Sequence, residues 1–267
     1  MTALLRNLAR MTRLGTLTPL GRATRRVTER LTDERALAEA RIHPLDVYLA
    51  LRVYGSGRSC PHPRVPPQQW TPVPAVCDAL EKAFDRSFGH VEPTGRRLLI
   101  AVDTSLSMGA NRAMASGSSL GTAYQVACAM AVILARTEGP NAHVIEVDFA
   151  VRRSRLTART RLREIGSWSP AGGGTNLALP FTHAREQGMH ADAVVVLTDN
   201  ETWHGDAHPS QELAAYRRAV NPQARCIVVA LTPNGGTIGD PTDEGVLNIA
   251  GFDASLPQVV SAFLREW

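Results

Sequence analysis

Short apolar runs that alternate with helical patterns are the feature that most constrains the fold of this chain. The runs cover residues 97–103, 142–150, 191–199, 224–232 and, more briefly, 247–251. Between them, apolar residues recur at helical spacing in 120–136, 176–187, 209–220 and 255–267. Continuous apolar strands that alternate with helices are typical of a parallel sheet covered on both faces. The pattern therefore predicts an α/β fold with a doubly wound, mostly parallel sheet.

Residues 151–156 follow the second apolar run almost without a gap, so no helix fits between the two. A connection this short joins antiparallel neighbours, because parallel strands need a long crossover. We therefore expect residues 151–156 to form an antiparallel strand at the edge of the sheet.

Residues 1–90 are predicted to form a small all-helical region. Apolar residues recur there at helical spacing in 2–11, 24–40, 44–54 and 76–88. The tripeptide Thr32-Asp33-Glu34 is placed like a helix start, and the proline-rich stretch 59–74 predicts a loop. The pattern changes at Thr94-Gly95, so we predict that the α/β domain occupies residues 91–267.

Three polar clusters lie where strands of the predicted sheet end. They are Asp103-Thr104-Ser105-Leu106-Ser107, Ala171-Gly172-Gly173-Gly174-Thr175-Asn176 and Leu197-Thr198-Asp199-Asn200-Glu201. In a doubly wound sheet, ligands bind outside the carboxyl ends of the strands. The first spacing turns a carboxylate and two hydroxyls into one crevice. The glycines of the second cluster let the backbone approach closely, and Thr175 is predicted to open a helix.

Oxygen donors without a nearby His or Cys suit a hard cation. We therefore predict one divalent cation, with Mg²⁺ favoured and Mn²⁺ or Ca²⁺ as alternatives. Its candidate ligands are Asp103, Ser105, Ser107, Thr175 and Asp199. Taken singly, the clusters also fit a helix cap, a glycine turn and an ordinary strand end. Their order along the chain, each at a strand end, favours the metal site.

The series D-x-S-x-S, G-G-T and T-D resembles the metal-ion-dependent adhesion site of von Willebrand factor A-type domains. The resemblance implies that Ser105, Ser107 and Thr175 ligate the metal, while Asp103 and Asp199 act directly or through water. It also implies that the cation keeps much of its charge and accepts a carboxylate from a protein partner. The implied function is recognition without catalysis.

A second resemblance covers nearly the whole chain. The segments 2–8 (TALLRNL), 41–44 (RIHP), 91–95 (VEPTG), 198–202 (TDNET) and 251–253 (GFD) resemble the C-terminal half of Ro autoantigen proteins. These are TROVE-module ribonucleoproteins, in which a ring of helical repeats binds Y RNAs outside and the ends of misfolded RNAs at its hole, while the A domain closes the ring.

This resemblance implies that residues 1–90 are the closing helical repeats of the TROVE module and residues 91–267 the A domain. The chain begins where the family is already several repeats along, so we expect the closing helices without most of the ring. The implied partners are a small non-coding or misfolded RNA and a protein that offers a carboxylate to the metal.

The charge distribution favours RNA contact by the helical region. Residues 1–90 carry 14 basic and 8 acidic side chains, whereas the remainder carries 15 and 17. A basic region is the part of a chain that attracts phosphate. The candidate phosphate patch is Arg22, Arg25 and Arg26.

Several other function classes lack the residues that they need. The glycines at 172–174 are not followed by the Lys of a phosphate-binding loop, and no G-x-S-x-G motif is present. His204 and His208 have metal-ligand spacing, but Gly205 and Pro209 favour a loop there. We therefore expect no enzyme. Two alternatives remain, an adhesion-type A domain without RNA binding and a metal-dependent hydrolase.

The sequence also predicts a cytoplasmic location without membrane insertion. No stretch approaches the roughly 20 apolar residues that cross a bilayer. Arginines interrupt the first 20 residues, which disfavours a secretory signal and leaves a transit peptide as an alternative. The cysteines are widely spaced and form no C-x-x-C pair, which indicates a reducing compartment; they are Cys60, Cys77, Cys128 and Cys226.

Overall fold

A computed structural model describes residues 1–59, 66–115, 118–200, 205, 207–232, 238–252 and 255–266. The chain divides into two compact units. The helical unit comprises Met1–Glu92 and Ala115–Leu120, and the α/β unit comprises Pro93–Met114 and Gly121–Trp267. The short segment Ala115–Leu120 therefore belongs to the helical unit, although the residues on either side of it belong to the α/β unit.

The helical unit contains five helices and a final 3-10 turn at Ser87–His90. The helices are α1 (Thr2–Arg13), α2 (Arg22–Leu31), α3 (Glu34–Glu39), α4 (Pro44–Gly55) and α5 (Pro74–Arg86). The predicted helix start at 32–34 is confirmed, because Asp33 accepts a hydrogen bond from the backbone N of Ala36 at 3.1 Å. This cap separates α2 from α3 inside one continuous apolar pattern.

A histidine caps helix α4. The Nδ1 atom of His43 accepts from the backbone N of Leu45 at 3.1 Å, and the Asp46 carboxylate accepts from the backbone N of His43 at 3.1 Å. Burial lowers the pKa of His43 to about 4, and the nearby His90 adds to the effect. The imidazole is therefore neutral at physiological pH, which the cap requires because Nδ1 must stay an acceptor.

The tyrosine near the end of α4 ties the helical unit together. Tyr54 is buried, and its hydroxyl lies 2.9 Å from the hydroxyl of Thr12 in α1 and accepts from the backbone N of Val73 at 2.9 Å. Its carbonyl accepts from the indole N of Trp70 at 2.8 Å. One side chain thus joins α1, α4 and the segment that leads into α5.

The α/β unit contains a six-stranded sheet, and residues 112–115 and 118–122 form a separate two-stranded sheet. The strands are β1 (Leu98–Asp103), β2 (Arg112–Ala115), β3 (Ser118–Thr122), β4 (Ala142–Val147), β5 (Val151–Arg153), β6 (Ala193–Thr198), β7 (Arg225–Ala230) and β8 (Val246–Ala250). The sheet order is β5-β4-β1-β6-β7-β8, and only β5 runs antiparallel. The predicted fold class, including the antiparallel edge strand, is confirmed.

Six helices belong to the same unit. They are α6 (Leu106–Ala110), α7 (Ala123–Glu138), α8 (Leu162–Ile165), α9 (Leu179–Glu186), α10 (Pro209–Ala219) and α11 (Leu256–Arg265). The prediction of a helix from residue 120 is wrong at its start, because Leu120 lies in β3. Thr122 caps α7 by accepting from the backbone N of Gln125 at 3.2 Å. The apolar Leu120 had extended the helical pattern beyond this cap.

The core lies around the two central strands. Every residue of β1 and β6 is buried, and α7 is buried along nearly its whole length. Strands buried on both faces need apolar residues at every position, which is why they read as continuous runs in the sequence. Truncation of a fully buried core leucine such as Leu99 typically costs about 2–5 kcal/mol.

The strand order places a crevice at the carboxyl end of β1. Within the sheet, β4 lies next to β1 on one side and β6 lies next to it on the other. The connections that follow these strands therefore separate at β1 and leave space for a ligand between them.

Among the described residues we find no helix with the length and apolarity that crossing a bilayer requires.

Candidate metal centre at the carboxyl ends of the strands

Asp103 ends the central strand and is fully buried. One carboxylate oxygen, Oδ1, accepts from the backbone N of Ser105 at 2.8 Å. The other, Oδ2, accepts from the hydroxyl of Thr198 at 2.7 Å. Because Thr198 ends the adjacent strand β6, two neighbouring strand ends fix the orientation of this carboxylate.

The two serines of the first cluster lie side by side. Their hydroxyl oxygens are 3.1 Å apart, with Ser105 buried and Ser107 half-buried at the start of α6. The sequence predicted that the D-x-S-x-S spacing turns two hydroxyls into one crevice, and the structure brings this pair together beside Asp103.

The glycine loop is tied to the first cluster by backbone hydrogen bonds. Gly172 N donates to Thr104 O at 3.0 Å, and Leu106 N donates to Gly173 O at 3.3 Å. Gly173 has a φ of 122°, and a Cβ atom there would lie 2.6 Å from the ring of Phe149. Only glycine allows this approach.

Thr175 follows the glycine loop and is buried. The prediction that it opens a helix is wrong, because α9 begins at Leu179. The Asn176 side chain instead accepts from the backbone N of Ala178 at 3.1 Å, and the Asn176 backbone N donates to Asp148 O at 2.9 Å. The asparagine forms a local turn that competes with the helix.

Asp199 is the second fully buried carboxylate of the crevice. Its Oδ2 accepts from the side-chain amide of Asn111 at 2.8 Å, and its backbone carbonyl accepts from the hydroxyl of Thr232 at 2.8 Å. Its Oδ1 is buried and has no hydrogen-bond partner in the described part of the chain. A buried carboxylate oxygen without a partner is costly unless a ligand completes it.

The carboxyl group of Asp103 is costly to ionise in this environment. Burial raises the pKa of Asp103 to about 6, and the charge of Asp199 adds to the effect, although hydrogen bonds from Ser105 and Thr198 oppose it. Within the described ranges, neither carboxylate takes part in an ion pair. A nearby positive charge, such as a bound cation, would stabilise buried anions of this kind.

A third buried carboxylate lies at the next strand end and has its own counter-charge. Asp148 follows β4, accepts from the backbone N of Ala150 at 2.9 Å and forms an ion pair with Arg152. The protein therefore pairs Asp148 with an arginine, whereas the described residues provide no cationic partner for Asp103 and Asp199.

We call the five predicted ligands the cation crevice; they are Asp103, Ser105, Ser107, Thr175 and Asp199. Its donors are all oxygens, which fits a hard divalent cation. Among the described residues, no group of three or more His, Cys, Asp or Glu side chains is placed to hold a metal ion. A cation here would therefore depend on hydroxyl oxygens as much as on carboxylates.

Sequence reasoning missed three residues that support the crevice. Thr198 stands in the T-D cluster but was not assigned a role, and Asp148 follows an apolar run, which was its only signal. Asn111 reaches Asp199 across 88 positions of sequence. No local pattern could have identified that contact.

The three candidate RNA-binding arginines lie on one face of α2. Arg22, Arg25 and Arg26 are exposed, and the opposite face of the helix buries Val27 and Leu31. Their i, i+3 and i+4 spacing makes them neighbours on the helix surface. The structure therefore groups the three side chains as the sequence predicted.

The structure describes one residue of the histidine pair that was considered as an alternative metal site. His208 caps α10, where its Nδ1 accepts from the backbone N of Ser210 at 3.3 Å. Its predicted companion His204 lies outside the described residues.

Comparisons with known proteins match both units. Residues 97–264 match the family described as Ro60 vWA domain, and residues 1–55 match the TROVE domain family. The RNA-binding protein RO60 of Deinococcus radiodurans is 40% identical over 268 residues, which cover 99% of this chain and 49% of that protein. The RNA-binding protein RO60 of Caenorhabditis elegans is 35% identical over 269 residues, which cover 99% of this chain and 40% of that protein.

A solved structure shares the same fold. The crystal structure of the Deinococcus radiodurans RO (RSR) protein superposes with a TM-score of 0.87 at 40% identity. The match covers 99% of this chain and 53% of that chain. The present chain thus spans about half the length of the relatives that it matches.

Proposed function

The chain belongs to the Ro60 family of proteins with a von Willebrand A-type domain, and on that premise we propose that it is a ribonucleoprotein component that recognises a protein partner through a divalent cation. One observation carries the proposal. Asp103 and Asp199 are both buried, and among the described residues neither has a counter-charge and one oxygen of Asp199 has no partner. This arrangement is costly alone and favourable around a cation.

The residues of the cation crevice would share the ligand positions unequally. Ser105, Ser107 and Thr175 would contact the metal, while Asp103 and Asp199 would act directly or through water. When bound, the cation supplies the positive charge that the carboxylates lack and a position for an oxygen of the partner. Mg²⁺ suits this donor set best, with Mn²⁺ or Ca²⁺ as alternatives.

Two exposed apolar side chains beside the crevice support a protein as the partner. Leu106 is 71% exposed and Phe149 is 54% exposed. Both adjoin Gly173, since Leu106 donates its backbone N to Gly173 O and the Phe149 ring lies against the glycine. Protein interfaces bury apolar and aromatic side chains at their centre. A partner that offers a carboxylate next to an apolar side chain would fit both features.

We also propose that the helical unit contacts RNA through Arg22, Arg25 and Arg26. The relatives are named for RNA binding, and these arginines are exposed on one helix face. Arginines on one helix face are suited to contacts with phosphates, and such contacts do not depend on the base sequence. The proposed RNA is a small non-coding or misfolded one, and binding should weaken steeply as salt rises.

Recognition without catalysis is the role that the crevice supports best. In the described part of the chain, the hydroxyl of Ser105 contacts that of Ser107, and no histidine contacts either serine. A serine nucleophile needs such a base. The free thiols of Cys77, Cys128 and Cys226 favour a reducing compartment, which supports our proposal of a cytoplasmic location.

Calorimetry on the full chain tests the cation. We expect one site for Mg²⁺ or Mn²⁺, which the double variant Asp103→Ala/Ser105→Ala abolishes. The variant Asp240→Ala/Ser169→Ala removes the same residue types from exposed positions and should bind the metal normally. Unchanged binding by the first variant would refute the assignment. Hydrolysis of a phosphoester panel with Mg²⁺ would instead favour a metal-dependent hydrolase.

Titration with a structured small RNA separates the proposal from its main alternative. An adhesion-type A domain without RNA binding would bind the metal and no RNA. Weak binding that falls with salt is the result that we expect, with a dissociation constant on the order of micromolar near physiological salt. The triple variant Arg22→Ala/Arg25→Ala/Arg26→Ala should reduce both affinity and salt dependence while metal binding is kept.

A further inference from the structure

The edge of the α/β unit carries a dense run of arginines that the proposed function does not use. Six of the 12 residues from Arg152 to Arg163 are arginine, and Glu164 is the only acidic residue in 151–169. The rest of residues 91–267 carries nine arginines and 16 acidic side chains. One short segment is therefore strongly positive within a unit that is otherwise acidic.

This segment exposes its arginines and buries the residues between them. Arg153, Arg155, Arg159, Arg161 and Arg163 are exposed, and we call them the arginine strip. The buried residues that alternate with them and fix the segment to the unit are Leu156, Thr160, Leu162 and Ile165.

Hydrogen bonds with other parts of the α/β unit hold the segment in place. The Arg136 guanidinium, from α7, donates to Ala158 O at 2.6 Å and to Thr160 O at 2.9 Å. The buried Glu146 accepts from the hydroxyl of Ser154 at 2.9 Å. The arginine strip is thus presented on an ordered support, which lowers the entropic cost of binding a ligand.

The arginine strip lacks acidic partners within the structure's described ranges. Among the described residues, Arg152 is the one arginine of the run with an ion pair, which it forms with the buried Asp148. Arg153, Arg159, Arg161 and Arg163 form none with any described residue. Glu164 lies beside them in sequence and supplies one negative charge against their four.

The guanidinium group of one member of the strip lies over an aromatic ring. The guanidinium carbon of Arg155 lies 4.1 Å from the ring centroid of Trp168. Its Nη2 donates to the hydroxyl of Tyr124 at 3.0 Å and to Ser169 O at 3.3 Å. A guanidinium held in this way offers a planar surface on which a nucleobase can stack.

We propose that the arginine strip binds the backbone of single-stranded RNA, with the Arg155–Trp168 stack as a platform for one base. An acidic protein is the other ligand that a basic surface could take. Protein interfaces need apolar side chains at their centre, whereas Leu156, Leu162 and Ile165 are buried. Phosphates need charged and hydroxyl donors, which the segment offers throughout.

This surface is distinct from the arginines of α2, so its test is built to tell the two apart. Fluorescence anisotropy follows a labelled oligouridylate of about 12 nucleotides, a typical single-strand site size, bound to the full chain at two salt concentrations. The variant Arg159→Ala/Arg161→Ala/Arg163→Ala is compared with Arg22→Ala/Arg25→Ala/Arg26→Ala. Both remove three exposed arginines and change the net charge equally.

We expect the strip variant to lose about tenfold in affinity and about 2 units of salt slope, since each phosphate contact contributes roughly 0.7. Arg155→Lys keeps the charge and should lower affinity without changing the slope. Circular dichroism melting should coincide with that of the parent chain, because the replaced side chains are exposed.

Each outcome decides a separate question. Unchanged RNA binding by the strip variant, with loss in the α2 variant, would overturn the strip and keep the proposed RNA contact. Loss in the strip variant alone would keep the strip and overturn the α2 contact. Absence of RNA binding by the parent chain would overturn both. Polyglutamate that competes as well as RNA of equal charge would assign the strip to acidic proteins and overturn this inference.

Discussion

The cation crevice and the arginine strip leave charge uncompensated in opposite ways. Among the described residues, the two buried carboxylates of the crevice have no cationic partner, and the exposed arginines of the strip form no ion pair. Between them lies Asp148, a buried carboxylate in an ion pair with Arg152. This ion pair is one of several in which the chain matches its own charges, and Arg152 stands directly before the strip in sequence.

The difference lies in what each arrangement costs. A buried charge without a partner is expensive, so the crevice favours one ligand of defined charge in one place. An exposed charge costs little, because water and salt screen it, and it attracts many anions at variable positions. The crevice is thus suited to a specific contact and the strip to a salt-dependent one.

The largest expected change in the free energy of unfolding comes from breaking the ion pair between Asp148 and Arg152. Arg152→Ala leaves Asp148 buried and unpaired, which should lower the free energy of unfolding by about 3 kcal/mol. Urea denaturation of the full chain measures it. The adjacent variant Arg153→Ala serves as control and should change stability by less than about 0.5 kcal/mol. Equal effects of the two variants would contradict the distinction between paired and unpaired arginines.

Cation binding should stabilise the crevice to a similar degree. At a hundredfold excess over the dissociation constant, Mg²⁺ should add about 2.7 kcal/mol to the free energy of unfolding. Asp199→Asn should abolish this increment, since it replaces a carboxylate of the crevice. Without metal the variant should be at least as stable as the parent chain, because it removes a buried charge and Asn can still accept from Asn111. A metal-free variant that is clearly less stable would show that the carboxylate is compensated within the protein.

The helical unit contains a half-buried titratable group, His43, that stays neutral. Burial lowers the pKa of His43 to about 4, against an ordinary value of 6.5. Between pH 6.5 and pH 4, the imidazole of His43 is therefore protonated in the unfolded chain and neutral in the folded chain. The free energy of unfolding falls as pH decreases through this range. By pH 5 the loss should reach about 2 kcal/mol.

Chemical denaturation at pH 7 and pH 5 measures this loss. Burial also raises the pKa of Asp46, which opposes the trend, so the histidine must be isolated by substitution. His43→Asn keeps an acceptor at the cap and removes the titration. The variant should lose less stability than the parent chain on acidification. An identical loss in both proteins would assign it to other groups.

Sequence reasoning identified the crevice better than the strip for a physical reason. Strands buried on both faces leave an unbroken apolar signal, and parallel strands bring their carboxyl ends to one edge. Asp103 and Asp199 could therefore be placed near each other from the amino-acid pattern alone. The first residue of α9 could not be predicted from this pattern. The glycine loop and the turn at Asn176 come first, so the helix does not begin at Thr175.

The net charge of residues 91–267 did not reveal the strip, because the acidic residues of this range outnumber its arginines. Whether an arginine is paired or exposed also depends on contacts far apart in sequence. Arg136 supports the segment from 22 positions away, as Asn111 supports Asp199 from 88. Local periodicity holds no information about such contacts.

The smallest expected effect is on the stability of the strip itself. Exposed charges that repel one another destabilise a fold only slightly, since salt and water screen them. Arg159→Ala/Arg161→Ala/Arg163→Ala should therefore change the free energy of unfolding by less than about 0.5 kcal/mol, while RNA affinity falls. Urea denaturation at low and high salt measures both the change and its screening. A loss of stability well beyond this range would mean that the exposed arginines hold the segment in place. They would then contribute to the stability of the fold, as the hydrogen bonds of Arg136 do.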